Sequence, residues 1–269
     1  MKSLVYRKSS TPIKRLIGCL VVLTVCLVVW EWGVRALHVA TYILPPPSAI
    51  FSAAILYRET LLRNLLITAS EAALGLLITT TLGIALAILF QTYSKANEFG
   101  MPFVAGLQSF PKEAIAPLLV VWFGFGLTSK MILAAAIAFF PVFISTLRGL
   151  KSVPHDVLFT FTALRATPRQ TLWKCRIPFA LPHAFSGIRV ASTLSIVGAV
   201  IGEFIGSSGG LGHLMLSANS QFSVDLVFAS LVLLGAFGLI LDTILSFTEK
   251  HLIPWHESIT EINYIIKKK

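Results

Sequence analysis

The chain has 269 residues, of which 55% are hydrophobic and only 13% charged, and its mean hydropathy is +0.81. Those values exclude a water-soluble domain and place the chain among integral membrane proteins. The formal net charge of +10 would suggest a nucleic-acid ligand in a soluble protein, but here the basic residues lie beside long apolar runs, where they set topology, so no nucleic-acid partner is expected. Cys19, Cys26 and Cys175 lie far apart or inside apolar runs, without pairing or metal-ligand spacing, and imply neither a disulfide framework nor a metal site.

A hydrocarbon layer about 30 Å thick needs about 20 apolar helical residues. On that measure the sequence predicts an all-α, polytopic protein with about six transmembrane helices, at about 16–37, 65–90, 101–125, 130–147, 184–205 and 226–247. The first follows a basic tail over 1–15 and begins with the unbroken run LIGCLVVLTVCLVVW. It resembles a signal peptide, but no small-x-small cleavage site precedes Glu31, so an uncleaved anchor is expected. With the loop after it, this span makes up residues 16–60. Residues 61–249 form the membrane core, and 250–269 a second basic tail.

Sixteen of the 22 Lys and Arg residues fall on one side of this six-span arrangement: in the N-terminal tail, at Lys95, between spans four and five, and after span six. The excess of positive charge on the inner side then predicts that both termini are cytoplasmic, in a multi-pass bacterial inner (plasma) membrane protein.

The segment FTFTALRATPRQTLWKCRIPFALP, Phe159 to Pro182, is the exception to the apolar pattern. Arg165, Arg169, Lys174 and Arg176 would each cost about 2.5–3.5 kcal/mol at a helix centre, against about 0.3–0.6 kcal/mol gained per large apolar residue, so the segment stays out of the membrane. Leu158, Phe161 and Leu164 recur at helical spacing. Thr167, Pro168 and Gln170 supply an N-cap, a first-turn proline and the partner residue of a capping box. Two short helices joined near Ala166 are predicted, the second ending before Pro178 and Pro182 turn the chain into span five. A cytoplasmic loop of this length, about 148–183, is longer than a connection needs. It suits either an interfacial segment held by anionic membrane lipid or a docking surface for a cytoplasmic protein.

Ionisable residues inside spans are costly and are therefore candidates for function. Glu71, Lys112, Glu113 and Glu203 are the candidates for a translocation pathway. Glu71 lies near enough to a span end to reach an interface, Lys112 and Glu113 follow Pro111 where a kink is expected, and Glu203 near a Gly-rich turn lines the pathway or meets water. Arg189 is expected to snorkel or to neutralise a neighbouring loop. Trp122, Phe123 and Phe125 suit an interfacial anchor. Neither GFGLTSK nor GSSGGLGH matches a phosphate-binding loop, and no catalytic or metal-binding motif is evident, so no enzymatic activity is expected in this chain.

Several stretches taken together carry a family resemblance. Trp30-Glu31 with ILPPPSAI, SFPKEAIAPLLVVWFGFGLTSK from Ser109, FFPVFISTLRGL, GEFIGSSGGLGHLM and Trp255 resemble the membrane permease of type I ABC importers, in the branch that handles nitrate, sulfonates, taurine and thiamine precursors. The resemblance implies that fold, with a cytoplasmic loop that couples to a separate ATPase subunit. ATP would bind the ATPase, and this chain would hold no cofactor. A second permease copy, forming a homodimer, and a periplasmic or lipid-anchored solute-binding protein complete the implied assembly. The family's coupling motif begins Glu-Ala-Ala, and those positions fall on Phe159, Thr160 and Phe161; its glycine falls on Arg165, while Leu164, Ala166, Thr167, Pro168, Pro178 and Pro182 stand in its remaining places. Two other readings remain open at this level: a self-contained secondary carrier or channel, for which no half-to-half repeat is found, and a permease-like scaffold that has lost coupling.

Overall fold

A computed structural model describes residues 12–254; Trp255 and most of the basic residues of the two tails lie outside them. Helix α1 (Pro12–Ala36) leads through the proline run to a short helix α2 (Pro47–Leu56), and α3 (Arg58–Thr92) follows. Then come α4 (Ser94–Ser109), a 3₁₀ turn at Lys112–Ile115 and α5 (Ala116–Phe123). Helix α6 (Leu127–Lys151) enters an elbow formed by α7 (His155–Ala163) and α8 (Pro168–Thr171). A π turn at Leu172–Arg176 joins α8 to α9 (Ile177–Gly206), and α10 (Leu211–Ser220) and α11 (Val224–Leu252) complete the described chain.

Among the described residues, four helical stretches are long and apolar enough to cross a membrane: Arg58–Thr92, Leu127–Lys151, Pro168–Gly206 and Val224–Leu252. They contain the second, fourth, fifth and sixth predicted spans. The first predicted span lies in α1, a 25-residue helix that stands at the edge of the bundle and exposes Leu20, Val21, Val25 and Val29, as a lipid-facing helix does. The third predicted span is not one helix. It breaks at Phe110, which takes an extended conformation (φ −78°, ψ 132°) because the ring of Pro111 disfavours a helical residue before it.

The core is the trio α3, α6 and α9. Glycine and alanine let the three backbones approach closely, the usual means of association where hydrocarbon surrounds the helices. Ala134, Ala138, Ala191 and Ala199 are completely buried. A Cβ at Gly198 would fall 2.6 Å from Cα of Ala134, and one at Gly187 2.7 Å from the Pro141 carbonyl. Thr79 Oγ1 donates to the Ala135 carbonyl (2.9 Å), linking α3 to α6. At one end of the trio, α2, α10 and the start of α11 form a cap around Ile50, Leu211, Leu214, Met215 and Leu226. The elbow lies at the other end, together with the start of α1 and the end of α11.

Pro178 and Pro182 do not end a helix, as the sequence suggested. The helix begun at Pro168 runs on to Gly206, with Pro182 inside it. A proline ring ordinarily strikes the carbonyl four residues earlier. For Pro178 that carbonyl belongs to Lys174, which lies in the widened π turn, where the clash is relieved.

Candidate functional site

The elbow is built by two helix-terminating devices in succession. At the end of α7 the Ala166 amide donates to the Phe161 carbonyl (3.0 Å) and the Arg165 amide to the Thr162 carbonyl (2.9 Å), the paired bonds of a Schellman C-cap. That motif needs a left-handed residue, and Arg165 supplies it with φ +51°. Glycine adopts this conformation without a Cβ penalty. Two residues later the predicted capping box is present: the Gln170 amide donates to Thr167 Oγ1 (3.3 Å) and the Thr167 amide to Gln170 Oε1 (2.8 Å), with Pro168 in the first turn.

The two arms of the elbow differ in anchorage. The second arm is continuous with α9 and tied to α6, where the Arg176 guanidinium donates to the Leu150 carbonyl (3.0 Å). Cys175 beside it is buried. The first arm stands off the bundle: α7 has no buried residue, Phe159 and Leu164 are each 75% exposed, and Thr160 and Arg165 are exposed while Phe161 and Ala166 are half-buried. Under the joint lies a cleft of about 540 Å³ lined by Gln91 and Thr92 of α3 and by Ala166, Pro168, Arg169 and Leu172.

The predicted pathway residues separate into two groups. Lys112 and Glu113 sit at the break after Pro111. Lys112 Nζ donates to the Gln108 carbonyl (2.8 Å) and lies 4.7 Å from the Phe140 ring centroid, while Glu113 is exposed. Glu71 and Glu203 instead meet in the core at the α10 end, each only 1% exposed. Glu71 therefore does not reach an interface, and of the two alternatives for Glu203 contact with water is not the one seen.

Lys130 Nζ donates to Glu71 Oε1 (2.7 Å) and to Ser207 Oγ (2.6 Å). Glu203 accepts from Thr68 Oγ1 (2.6 Å) and from the Gly212 amide (2.5 Å). Thr68 Oγ1 also accepts from the Leu211 amide (2.8 Å), and Asn64 Oδ1 from the Gly210 amide (2.8 Å). Helix α10 has no cap from its own N-cap residue; its first amides are satisfied by α3 and α9, and the Glu203 carboxylate sits where the helix dipole favours a negative charge. Gly210, at φ +104°, has no room for a Cβ because the Glu203 carboxyl group occupies that space.

Arg189 is likewise placed differently from its expectation. It pairs with Asp242 of α11, Nε to Oδ1 at 2.8 Å and Nη2 to Oδ2 at 2.9 Å, rather than with a loop. Lys130, Asp242, Thr68 and Ser207 were not singled out from sequence. Lys130 read as the end of a span, and nothing local marks a residue as the partner of one 53 to 135 positions away.

The arrangement is a set of membrane helices around a small-residue core, with a projecting elbow at one end. Residues 79–255 match the family described as binding-protein-dependent transport system inner membrane component. The chain belongs to that family. This permease is 36% identical to a probable ABC transporter permease protein of Haemophilus influenzae over 84% of this chain and 93% of the relative. It is 31% identical to the formylaminopyrimidine transport permease protein ThiX of Halalkalibacterium halodurans over 86% and 92% of the two chains. Its fold is similar to that of a chain from an inward-facing MetNI methionine ABC transporter, with a TM-score of 0.62 at 19% identity, covering 74% of this permease and 96% of that chain. The protein is thus a multi-pass permease subunit of an ABC importer, and ATP hydrolysis belongs to a separate subunit.

Proposed function

We propose that the permease works as one of two identical copies enclosing a solute path, with its elbow docked in a groove of the ATPase subunit on the cytoplasmic side and an external binding protein delivering a small solute. The observation that carries this reading is the difference between the elbow's two arms. Helix α7 has no fully buried residue, and Phe159 and Leu164 point outward, while the arm beyond Thr167 is one continuous helix into the core. A partner that moves α7 would therefore move α9, which packs on both α3 and α6; a rigid lever of this kind transmits closure of one subunit to another.

Two phenylalanines replace the carboxylate and small residue of the family's motif, and they suit an apolar groove on the ATPase. The same orientation puts both tails and their basic residues on the cytoplasmic face, beside anionic membrane lipid. In the membrane, Glu113 and Lys112 at the break between α4 and α5 remain the candidates for the path, since Glu71 and Glu203 are enclosed. The ThiX relative is named for a small nitrogen heterocycle, in keeping with a small organic solute.

The test is Leu164→Asp, which adds a charge at a position already exposed and leaves the helix cores untouched. Uptake in vesicles containing the whole importer should fall at least tenfold while the permease stays monodisperse in detergent. Thr167→Arg should do the same with some loss of elbow stability. Wild-type uptake in both variants would exclude docking through this elbow.

A further inference from the structure

The buried cluster at the α10 end holds more carboxylate than positive charge. Glu71 and Glu203 are each 1% exposed and Lys130 is 5% exposed. Thr68, one turn before Glu71 on α3, donates to Glu203, and Lys130 joins Glu71 to Ser207, one turn beyond Glu203 at the end of α9, so the two carboxyl groups and the ammonium share one enclosed cluster. Two ionised carboxylates beside one ammonium would leave an uncompensated negative charge buried in the helix core, an arrangement far costlier than holding a proton.

The hydrogen bonds say which carboxyl holds that proton. Both oxygens of Glu203 face donors, Thr68 Oγ1 on one and the Gly212 amide on the other, and the group sits at the start of α10, where an anion is favoured. Glu71 uses Oε1 to accept from Lys130, whereas its Oε2 is buried without a partner among the described residues. A bare carboxylate oxygen there is an unmet acceptor, while a hydroxyl in the same place is a donor aimed at a neighbouring anion.

We propose that the cluster binds one proton, carried on Glu71 Oε2 and donated to the Glu203 carboxylate. The neutral set of Lys130 ammonium, Glu71 acid and Glu203 carboxylate then joins α6, α3, α9 and the start of α10. Ser207 completes it, accepting from Lys130 and donating to the Gly209 carbonyl. In this state Glu71 is a hydrogen-bond relay between the two charges, and the bound proton is a structural part of the closed α10 end.

The proposal predicts an asymmetry between two conservative substitutions in the full-length permease. Glu71→Gln reproduces the protonated acid, its carbonyl accepting from Lys130 and its amide donating to Glu203, so the thermal midpoint in detergent should stay at the wild-type value. Glu203→Gln sets an amide donor against a donor already in place and removes the counter-charge of Lys130, so the midpoint should fall by several degrees. The infrared band of a protonated carboxylic acid, shifted in D₂O, should be present in the wild type and absent in Glu71→Gln; this reading does not require the Glu203 variant to fold. A stable Glu203→Gln with an unstable Glu71→Gln would put the proton on Glu203, and retention of the band in Glu71→Gln would remove it from Glu71. Either result overturns the assignment.

Discussion

Arg189 of α9 and Asp242 of α11 form a two-pronged ion pair, with both carboxylate oxygens engaged at 2.8 and 2.9 Å. The pair is the main polar link between the core trio and α11, which otherwise meets it through apolar contacts such as Leu241 and Leu245 against the cluster around Ile188. Glu249, at 3.7 Å from the guanidinium, adds a second acidic neighbour on the same face.

The planar fork matters as well as the charge, because lysine cannot fill both acceptor sites of one carboxylate in this geometry. With side chains about 40% exposed (39% and 44%), the pair should contribute about 1 kcal/mol. Thermal unfolding of Arg189→Lys, Asp242→Ala, Arg189→Ala and the double alanine variant should give a coupling energy of that size, with Arg189→Lys recovering less than half of it. Strictly additive single variants would show that the contact is incidental.

At the elbow, Arg165 occupies a left-handed position that favours glycine. The Cβ penalty there is about 1–2 kcal/mol, partly offset by the greater freedom of an unfolded glycine. Arg165→Gly should stabilise the turn by about 1 kcal/mol, slowing hydrogen exchange at the Arg165 and Ala166 amides roughly fivefold. Thr167→Ala should act in the opposite sense, since loss of an N-cap costs about 1 kcal/mol. Unchanged protection in both variants would mean that these caps do not hold the elbow.

Those two elbow devices show what the sequence could and could not reveal. The capping box is written in adjacent residues, Thr167 to Gln170, so its chemistry is local and legible. The left-handed turn at Arg165 is not, because arginine carries no signal for it and only the position of the family's glycine hints at it. The same division runs through the membrane core. Hydropathy locates the four long helices because the bilayer sets their length, but it smooths over the break at Phe110 and passes over α10, whose first amides depend on Asn64, Thr68 and Glu203 rather than on a local cap. Glu71 stood out as a charge in a span, yet its partner Lys130 is 59 residues away and is set by the packing of α3 on α6.

That packing makes a sharp prediction at Gly198. The backbone of Ala134 lies 2.6 Å from the place a Cβ would take, so no side-chain rotation can relieve the contact, and the two central helices must separate. Gly198→Val should prevent recovery of monodisperse protein, beyond the usual overpacking cost of about 1–3 kcal/mol. Gly235→Val on α11 is the control, because nothing lies within 4 Å of a Cβ there and a β-branched residue is readily housed in a lipid-facing helix. Equal yields of the two variants would contradict the close approach of α6 and α9.

Glu31 does for α2 what Glu203 does for α10. Because Pro46 and Pro47 have no amide hydrogen, the first free donor of α2 is the Ser48 amide, and it donates to Glu31 Oε2 (3.0 Å). Ser48 Oγ and Arg35 Nε fill Oε1 at 2.8 and 2.7 Å. A carboxylate from the preceding helix thus replaces the missing local cap and adds favourable charge at the helix start. Glu31→Ala should loosen α2 by about 1–2 kcal/mol, with Glu31→Gln costing roughly half as much because an acceptor oxygen is retained. Helix α2 packs mainly on α11 and the cap and meets the core trio only at the start of α3, near Leu61, so the damage should remain local. The check is thiol labelling of Ala53→Cys, a site only 3% exposed: Glu31→Ala should raise its labelling rate roughly tenfold, as 1.4 kcal/mol of local opening requires, while a cysteine at Ala138 in the core stays protected. Equal labelling with and without Glu31 would show that the proline run alone fixes α2.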